Sequence, residues 1–430
     1  MRRLTTIAIA TVVLLALASG LCGAQGSLRI WPHTRALFMD LAEQFKNEHP
    51  EIEVEIQSAG AHDNDKLGAA IAAGVGPDVS TSVRVNRYFA GWVVPLNDYF
   101  EKSEVAKEYL ANMSLGARIL QEAAEAYSFD GQITALATAW TYPVWGLYQN
   151  REMFELAGVP VFPPDVAPTW EEIAIAHQKL TRIDGSGMIT QLGFPAHHDH
   201  LHGPALAESF GVSLIAPDGG PEFEGLIRAY TFLYENFVRS LGYENILAYM
   251  PNAGDELPVT SGLAAMAIAP ARGQSDLGDK DLVVSFAPHI NGERIAYVAG
   301  MFWQLNAPLR NPEAAYKFLD FTIQNVDWHE ASLLQEGRMG APGFDQITRL
   351  LPLVEEVNPV GAWFLMSMAT ADRLVFIPPT VPWEADFYEV MGDEEGRIID
   401  IWSGKLPVRP VLEEVEQIVR ARYQESPWYR

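Results

Sequence analysis

The sequence predicts an α/β protein built as two lobes, and three observations lead there. Strand and helix patterns alternate through residues 27–80 as strand, helix, strand, helix, strand, which implies a parallel sheet with right-handed crossovers. The chain has 430 residues, too many for one ordinary core. No Ser- or Pro-rich linker divides it, so the lobes are expected to be joined by crossing segments rather than by a tether.

The elements follow from local pattern. Ser27 to Trp31 is a short strand candidate, and Thr34 to Glu48 repeats Leu37, Phe38, Leu41 and Phe45 at helical spacing before Pro50. Ile52-Glu53-Val54-Glu55-Ile56 alternates strictly and reads as a half-buried strand. Lys66 to Ala73 is a second amphipathic helix, stopped by Gly74, and Asp78-Val79-Ser80 is a strand after a Gly-Pro turn. Later helices are expected at Trp170–Thr181, near Glu222–Phe237, at Pro312–Gln324 and at Val411–Tyr423.

Composition narrows the function. Thirty basic residues stand against 55 acidic ones, a net charge of −25, which argues against wrapping nucleic acid or lying on an anionic membrane. One cysteine excludes a disulfide framework within a monomer and a Cys-based zinc or iron–sulfur site. Residues 1–24 read as a secretory signal peptide: Arg2 and Arg3, an apolar run from Ile7 to Leu17, then small residues up to Ala24. The alternative is cleavage before Cys22 with lipid on that cysteine, from which Leu21 departs because a small residue usually precedes such a site. Loss of residues 1–24 removes two arginines and the single cysteine, taking the net charge from −25 to −27. A periplasmic or other extracytoplasmic location is expected.

At Asp130-Gly131-Gln132-Ile133-Thr134-Ala135-Leu136, continued through Trp140-Thr141-Tyr142-Pro143 and Leu147-Tyr148-Gln149-Asn150-Arg151-Glu152-Met153-Phe154, the chain resembles the extracellular solute-binding proteins of family 1, the sugar-binding receptors of ABC importers. Ala137 replaces the proline usual there, and Gln149 the second tyrosine. Four further stretches match in order: Ala72-Ala73-Gly74 with Pro77-Asp78-Val79, Pro168-Thr169-Trp170-Glu171-Glu172, Ser261-Gly262-Leu263-Ala264-Ala265-Met266, and Asn311-Pro312-Glu313-Ala314-Ala315. The resemblance implies a type II periplasmic-binding-protein clamshell, each lobe a sheet flanked by helices. Residues 25–140 plus 298–340 would form lobe 1, and residues 141–297 plus 341–430 lobe 2. It also implies crossings near Ala137–Val144, Tyr297–Phe302 and Gly340–Phe344, with the ligand between the lobes. Pockets favour domain interfaces and the carboxyl ends of parallel strands on independent grounds.

A sugar offers an apolar ring face and a belt of hydroxyls, so an aromatic plane beside donors and acceptors is the expected site. Trp140, Tyr142 and Trp145 cluster at the proposed first crossing; on a strand the first two share a face, and core packing is the competing reading for all three. Trp31 and His33 follow the first strand, at the mouth of a parallel sheet. Ser80 stands on the third strand, and Arg84 and Asn86 follow it, able to hold hydroxyls or an acidic group or simply to face solvent. Trp303 stands at the second crossing, and Trp383 stands near where the family often places a second-lobe stacking aromatic. Trp170 reads as packing at a helix start. Many sugar binders carry a tryptophan beyond the Ser261–Met266 match; Ala271 occupies that region here, so one stacking plane is expected to be missing.

His197-His198-Asp199-His200-Leu201-His202 gathers four of the ten histidines. The resemblance puts this loop at the second-lobe rim, with Asp199 and His200 as ligand contacts; a fortuitous surface cluster and a zinc or copper site are the alternatives. There is no Gly-x-Ser-x-Gly elbow, His-Glu-x-x-His pair or P-loop. The reading is a monomeric binding protein without catalysis, cofactor or resident metal. It takes a mono- or oligosaccharide and delivers it to ABC transporter permease subunits. The alternatives are a secreted sugar-active hydrolase and an exported metal-binding protein using the histidine loop.

Overall fold

The structure is a computed structural model that describes residues 26–58, 64–82, 87, 91–112, 132–196, 203–250, 257–272, 277, 280–336, 344–376, 383–392 and 396–426. The chain opens with β1 (Ser27–Trp31), α1 (Ala36–Glu48), β2 (Glu53–Ile56), α2 (Asn64–Ala72), β3 (Val79–Ser82) and β4 (Val93–Val94). Next come α3 (Asn97–Lys102), α4 (Glu104–Asn112), β5 (Leu136–Pro143), β6 (Gly146–Asn150), α5 (Arg151–Ala157), α6 (Trp170–Leu180), β7 (Arg182–Ile183) and β8 (Ile189–Gln191). The second half holds α7 (Gly203–Ser209), α8 (Glu224–Leu233) with a π-turn at Tyr234–Val238, α9 (Tyr243–Tyr249), α10 (Pro258–Ser261), β9 (Met266–Ala269), β10 (Leu282–Phe286) and β11 (Ile295–Asn306). It closes with α11 (Pro312–Gln324), α12 (Val326–Glu336), α13 (Phe344–Val357), α14 (Pro359–Thr370), β12 (Arg373–Phe376), α15 (Glu384–Met391), α16 (Arg397–Trp402) and α17 (Val408–Glu425).

The first sheet runs β12-β11-β3-β1-β2, with β4 and β5 also paired to β11. β1 lies parallel to β2 and β3, as the alternating pattern predicts. On β2, Glu53 and Glu55 face out and Val54 faces in, and Glu55 meets its cross-strand neighbour Arg29 at 2.7 Å. Leu37, Phe38, Leu41 and Phe45 of α1 pack under this sheet with Leu28, Ile30, Trp303 and Phe318. The Gly-Pro-Asp turn before β3 has its own reason. Asp78 is fully buried and accepts from the Arg29 backbone N–H at 2.8 Å and from Arg310 Nε and Nη2, both at 3.0 Å.

The second sheet, β10-β6-β9, is antiparallel and shorter. It packs against α6, α7, α8 and α17 in a second apolar cluster built on Trp145, Leu147, Phe194, Leu226 and Leu412. Gln149, where the family usually has tyrosine, is buried on β6. Its amide donates to Phe162 O at 3.0 Å and Ser285 Oγ at 3.2 Å, and its carbonyl accepts from the Phe162 N–H at 2.7 Å.

Two strands pass between these cores. On β5 Leu136 packs in the first cluster, and just beyond its end Trp145 packs in the second. On β11 Tyr297 belongs to the second and Met301, Trp303 and Leu305 to the first. The two run antiparallel, pairing Val298 with Pro143 through Met301 with Trp140, and the register shifts between Met301 and Trp303. A smaller cluster of Ala296, Val298, Leu333, Val354 and Leu365 ties α12, α13 and α14 to the same strand. The third expected crossing, near Gly340–Phe344, lies outside the described residues except for Phe344.

Helix boundaries shift for physical reasons. The first helix starts at Ala36 rather than Thr34, with Arg35 extended at its cap. The last begins at Val408 rather than Val411, because Pro410 falls in the first turn, where the missing N–H has no intrahelical partner to lose. The pattern at Glu222–Phe237 resolves into α8 and the π-turn that continues it.

Candidate functional site

The candidate site lies where β1 and β3 end and where β5 and β11 cross. Trp31 closes β1 opposite Ser80 of β3. Trp31 is 7% exposed and packs with Leu67, Ala70, Ile71 and Trp92, apart from the main first-lobe cluster. Lys66 sets its Nζ 5.3 Å from the centroid of that ring. His33 accepts from the Arg35 N–H through Nδ1 at 3.2 Å and lies 5.6 Å from Phe38, ring to ring. Ser80 is buried and shares hydrogen bonds with the Asn306 side chain, whose Nδ2 donates to Ser80 Oγ at 3.0 Å. That bond pins β3 to the end of β11, so Ser80 acts within the sheet in this conformation.

Trp140 and Tyr142 stand on β5 opposite Met301 and Ala299. Their side chains lie outside the described residues. Arg84, Asp199, His200 and the whole His197–His202 segment also lie outside them. Among the described residues, no group of three or more His, Cys, Asp or Glu side chains is placed to hold a metal ion.

Two expected stacking residues are core residues instead. Trp303 is 0% exposed, 5.0 Å from Phe318 and 6.0 Å from Phe38 by ring centroids, and its indole N–H has no hydrogen-bond partner among the described residues. Trp383 is 1% exposed, lies 5.5 Å from Phe223, and donates through Nε1 to Gly219 O at 3.3 Å. Neither exposes a ring face to solvent in this structure. Trp145 packs 5.3 Å from Tyr297, and Trp170 stacks on Phe210 while donating to Ser209 Oγ at 3.0 Å. Ala271 is buried beside Leu257, Ala267 and Phe364.

Lys66 and Trp92 were absent from the residues expected at the site. The helical pattern placed Lys66 on α2, but its approach to Trp31 depends on how α2 sits on β1. A cavity of about 910 Å³ opens elsewhere on the second lobe, between Ile227, Phe232, Tyr234 and Leu406, and no expected site residue lines it. Burial pushes His177 and His329 down to about 4, so both are neutral packing groups near neutral pH.

The sequence model for bacterial extracellular solute-binding proteins matches residues 31–325. Solved structures with a similar fold include CpMnBP1 with mannotriose bound, at a TM-score of 0.74 and 18% identity over 91% of this chain and 99% of that one. The ABC substrate-binding protein Lmo0181 from Listeria monocytogenes in complex with cycloalternan aligns at 0.72 and 16%, over 92% and 98%. The maltose/maltodextrin-binding domain MalE from Bdellovibrio bacteriovorus bound to maltotriose aligns at 0.66 and 18%, over 93% and 100%. No curated protein matches by sequence. At these identities the likeness establishes the fold: two α/β lobes joined by hinge crossovers.

Proposed function

The chain belongs to the bacterial extracellular solute-binding protein family, and from that premise we propose that it binds a mono- or oligosaccharide between its lobes and hands it to an ABC transporter permease. The lobes are 25–140 plus 298–340 and 141–297 plus 341–430. The observation that carries the reading is the antiparallel pair β5 and β11, which runs from one apolar core to the other and sets Trp140 and Tyr142 on the crossing strand. An aromatic face on a strand that both lobes share is suited to sense closure. Sugar-bound relatives with the same fold support a carbohydrate as the ligand.

The mechanism is hinge closure. A ligand that touches both lobes binds the closed form better and shifts the population toward it. Trp140 and Tyr142 supply ring faces, Trp31 and His33 stand at the first-lobe mouth, and Arg84, Asp199 and His200 supply polar contacts. Ser80 holds the mouth in shape through Asn306. The protein acts as an extracytoplasmic monomer, exported by its signal peptide, and does no chemistry on the sugar.

A thermal-shift screen of the mature protein against sugars, oligosaccharides and divalent metals tests this. A cognate sugar at a hundred times its dissociation constant stabilises by about 2.7 kcal/mol. Trp140→Ala should remove most of that gain. Turnover of the sugar would replace the binding reading with the hydrolase. A zinc shift reversed by chelator, with no response to sugars, would replace it with the metal-binding protein.

A further inference from the structure

Trp31 lies outside the core its strand belongs to. Its neighbours are Leu67, Ala70 and Ile71 of α2, together with Trp92, and among the described residues none of α2 joins the main first-lobe cluster. The helix has nine residues and includes Gly68, Ala69, Ala70 and Ala72, so it buries little side chain. A helix of that length does not hold itself together in water. Gly68 sits so close to Trp92 that a Cβ there would lie 2.7 Å from its ring. The segment after the helix turns at Gly74, whose φ of +72° suits glycine, and leaves Val75 exposed. α2 therefore rests on two indole rings at the mouth of the parallel strands, with the Lys66 ammonium over one of them.

We propose that α2 is a movable cover over Trp31, and that Lys66 occupies the indole face which a sugar ring takes in the bound state. The sugar half rests on the carbohydrate reading above. An indole face attracts a cation through its quadrupole and accepts the apolar face of a pyranose by stacking, so the two compete for one surface. Lys66 is then a specificity-determining residue: only a ligand whose stacking exceeds the cation–π contact lifts the cover.

Amide hydrogen exchange of the ligand-free full chain tests the cover without any ligand. Residues 64–72 should exchange well ahead of α1 at 36–48, and Gly68→Ala, which pushes the helix off Trp92, should accelerate them further. Protection of 64–72 equal to that of α1 overturns the cover. Affinity for the best sugar of the screen tests Lys66. Lys66→Ala should tighten binding about two- to five-fold, the exchange value of an exposed cation–π contact, while Lys66→Arg stays near wild type. Weaker or unchanged binding in Lys66→Ala overturns the competition, the former by making Lys66 a ligand donor. If no sugar binds, the carbohydrate reading fails and the competition with it, whereas the exchange comparison still decides whether α2 is a cover.

Discussion

Asp78 holds a carboxylate in the first lobe with no solvent contact, and Arg310 meets it with two guanidinium hydrogen bonds from 232 residues away. Removing the carboxylate leaves two backbone N–H groups, those of Arg29 and Arg310, without their acceptor, while the guanidinium keeps only Gly76 O, at 2.6 Å. Asp78→Ala should therefore destabilise the protein by about 2 kcal/mol, read from the urea midpoint, because the hydrogen bonds to one buried carboxylate are lost together while the freed guanidinium, about a third exposed, can reach water. Gln149 makes the same kind of point. As a departure from the family pattern it was visible in the sequence, but its three hydrogen bonds to Phe162 and Ser285 depend on two segments that only the fold brings to β6. The tryptophans divide on the same ground. Trp303 and Trp383 looked like candidates by position along the chain, and Phe318 and Phe223 cover them by position in space.

At the scale of elements, the parts read correctly are those whose pattern is local. α1 and β2 carry apolar residues at periods of 3.6 and 2, and each buries the face its period assigns. Thr169-x-x-Glu172 opens α6 as a full capping box: Thr169 Oγ1 accepts from the Glu172 N–H at 3.2 Å, and Glu172 Oε2 accepts from the Thr169 N–H at 2.8 Å. Thr169→Ala should lower stability by about 1 kcal/mol, checked by denaturant unfolding, with sugar affinity unchanged because α6 packs on the second-lobe core. The strands β6, β9 and β10 were not read from periodicity, since Leu147, Tyr148, Gln149 and the run Met266–Ala269 are buried on both faces and do not alternate. The crossing role of β11 was likewise not in its pattern: twelve consecutive residues, nearly all buried, serve two cores in succession.

At the scale of the whole molecule, buried histidines tie stability to pH: among the described residues burial lowers His177 and His329 furthest, and His289 in the same direction. His177 accepts from the Phe194 N–H through Nδ1 at 3.0 Å in the second lobe, and His329 Nε2 lies 2.9 Å from Thr322 O in the first. Both have folded values of about 4 against an unfolded value near 6.5, so the native state binds fewer protons in that window. Their contribution is complete above pH 6.5 and is lost as pH falls toward 4, by roughly 1 kcal/mol per pH unit for each. Urea midpoints between pH 7 and pH 5 should fall accordingly, and His177→Gln should flatten the slope by the roughly 1 kcal/mol per pH unit that His177 carries. An unchanged slope in that variant would show that His177 carries none of the acid loss.

What the sequence by itself determined is the alternation of strand and helix, the order of the family's motifs and the acidic balance, because each is carried by neighbouring residues or by a count. The tertiary structure decided which tryptophans serve a core, which buried polar groups are answered, and that Lys66 lies over Trp31. Each of those depends on surfaces brought together from distant parts of the chain, so no local period encodes it. The two-lobed outline belongs to both. The motifs announced it, and the passage of β5 and β11 from one apolar cluster to the other gives it a physical form.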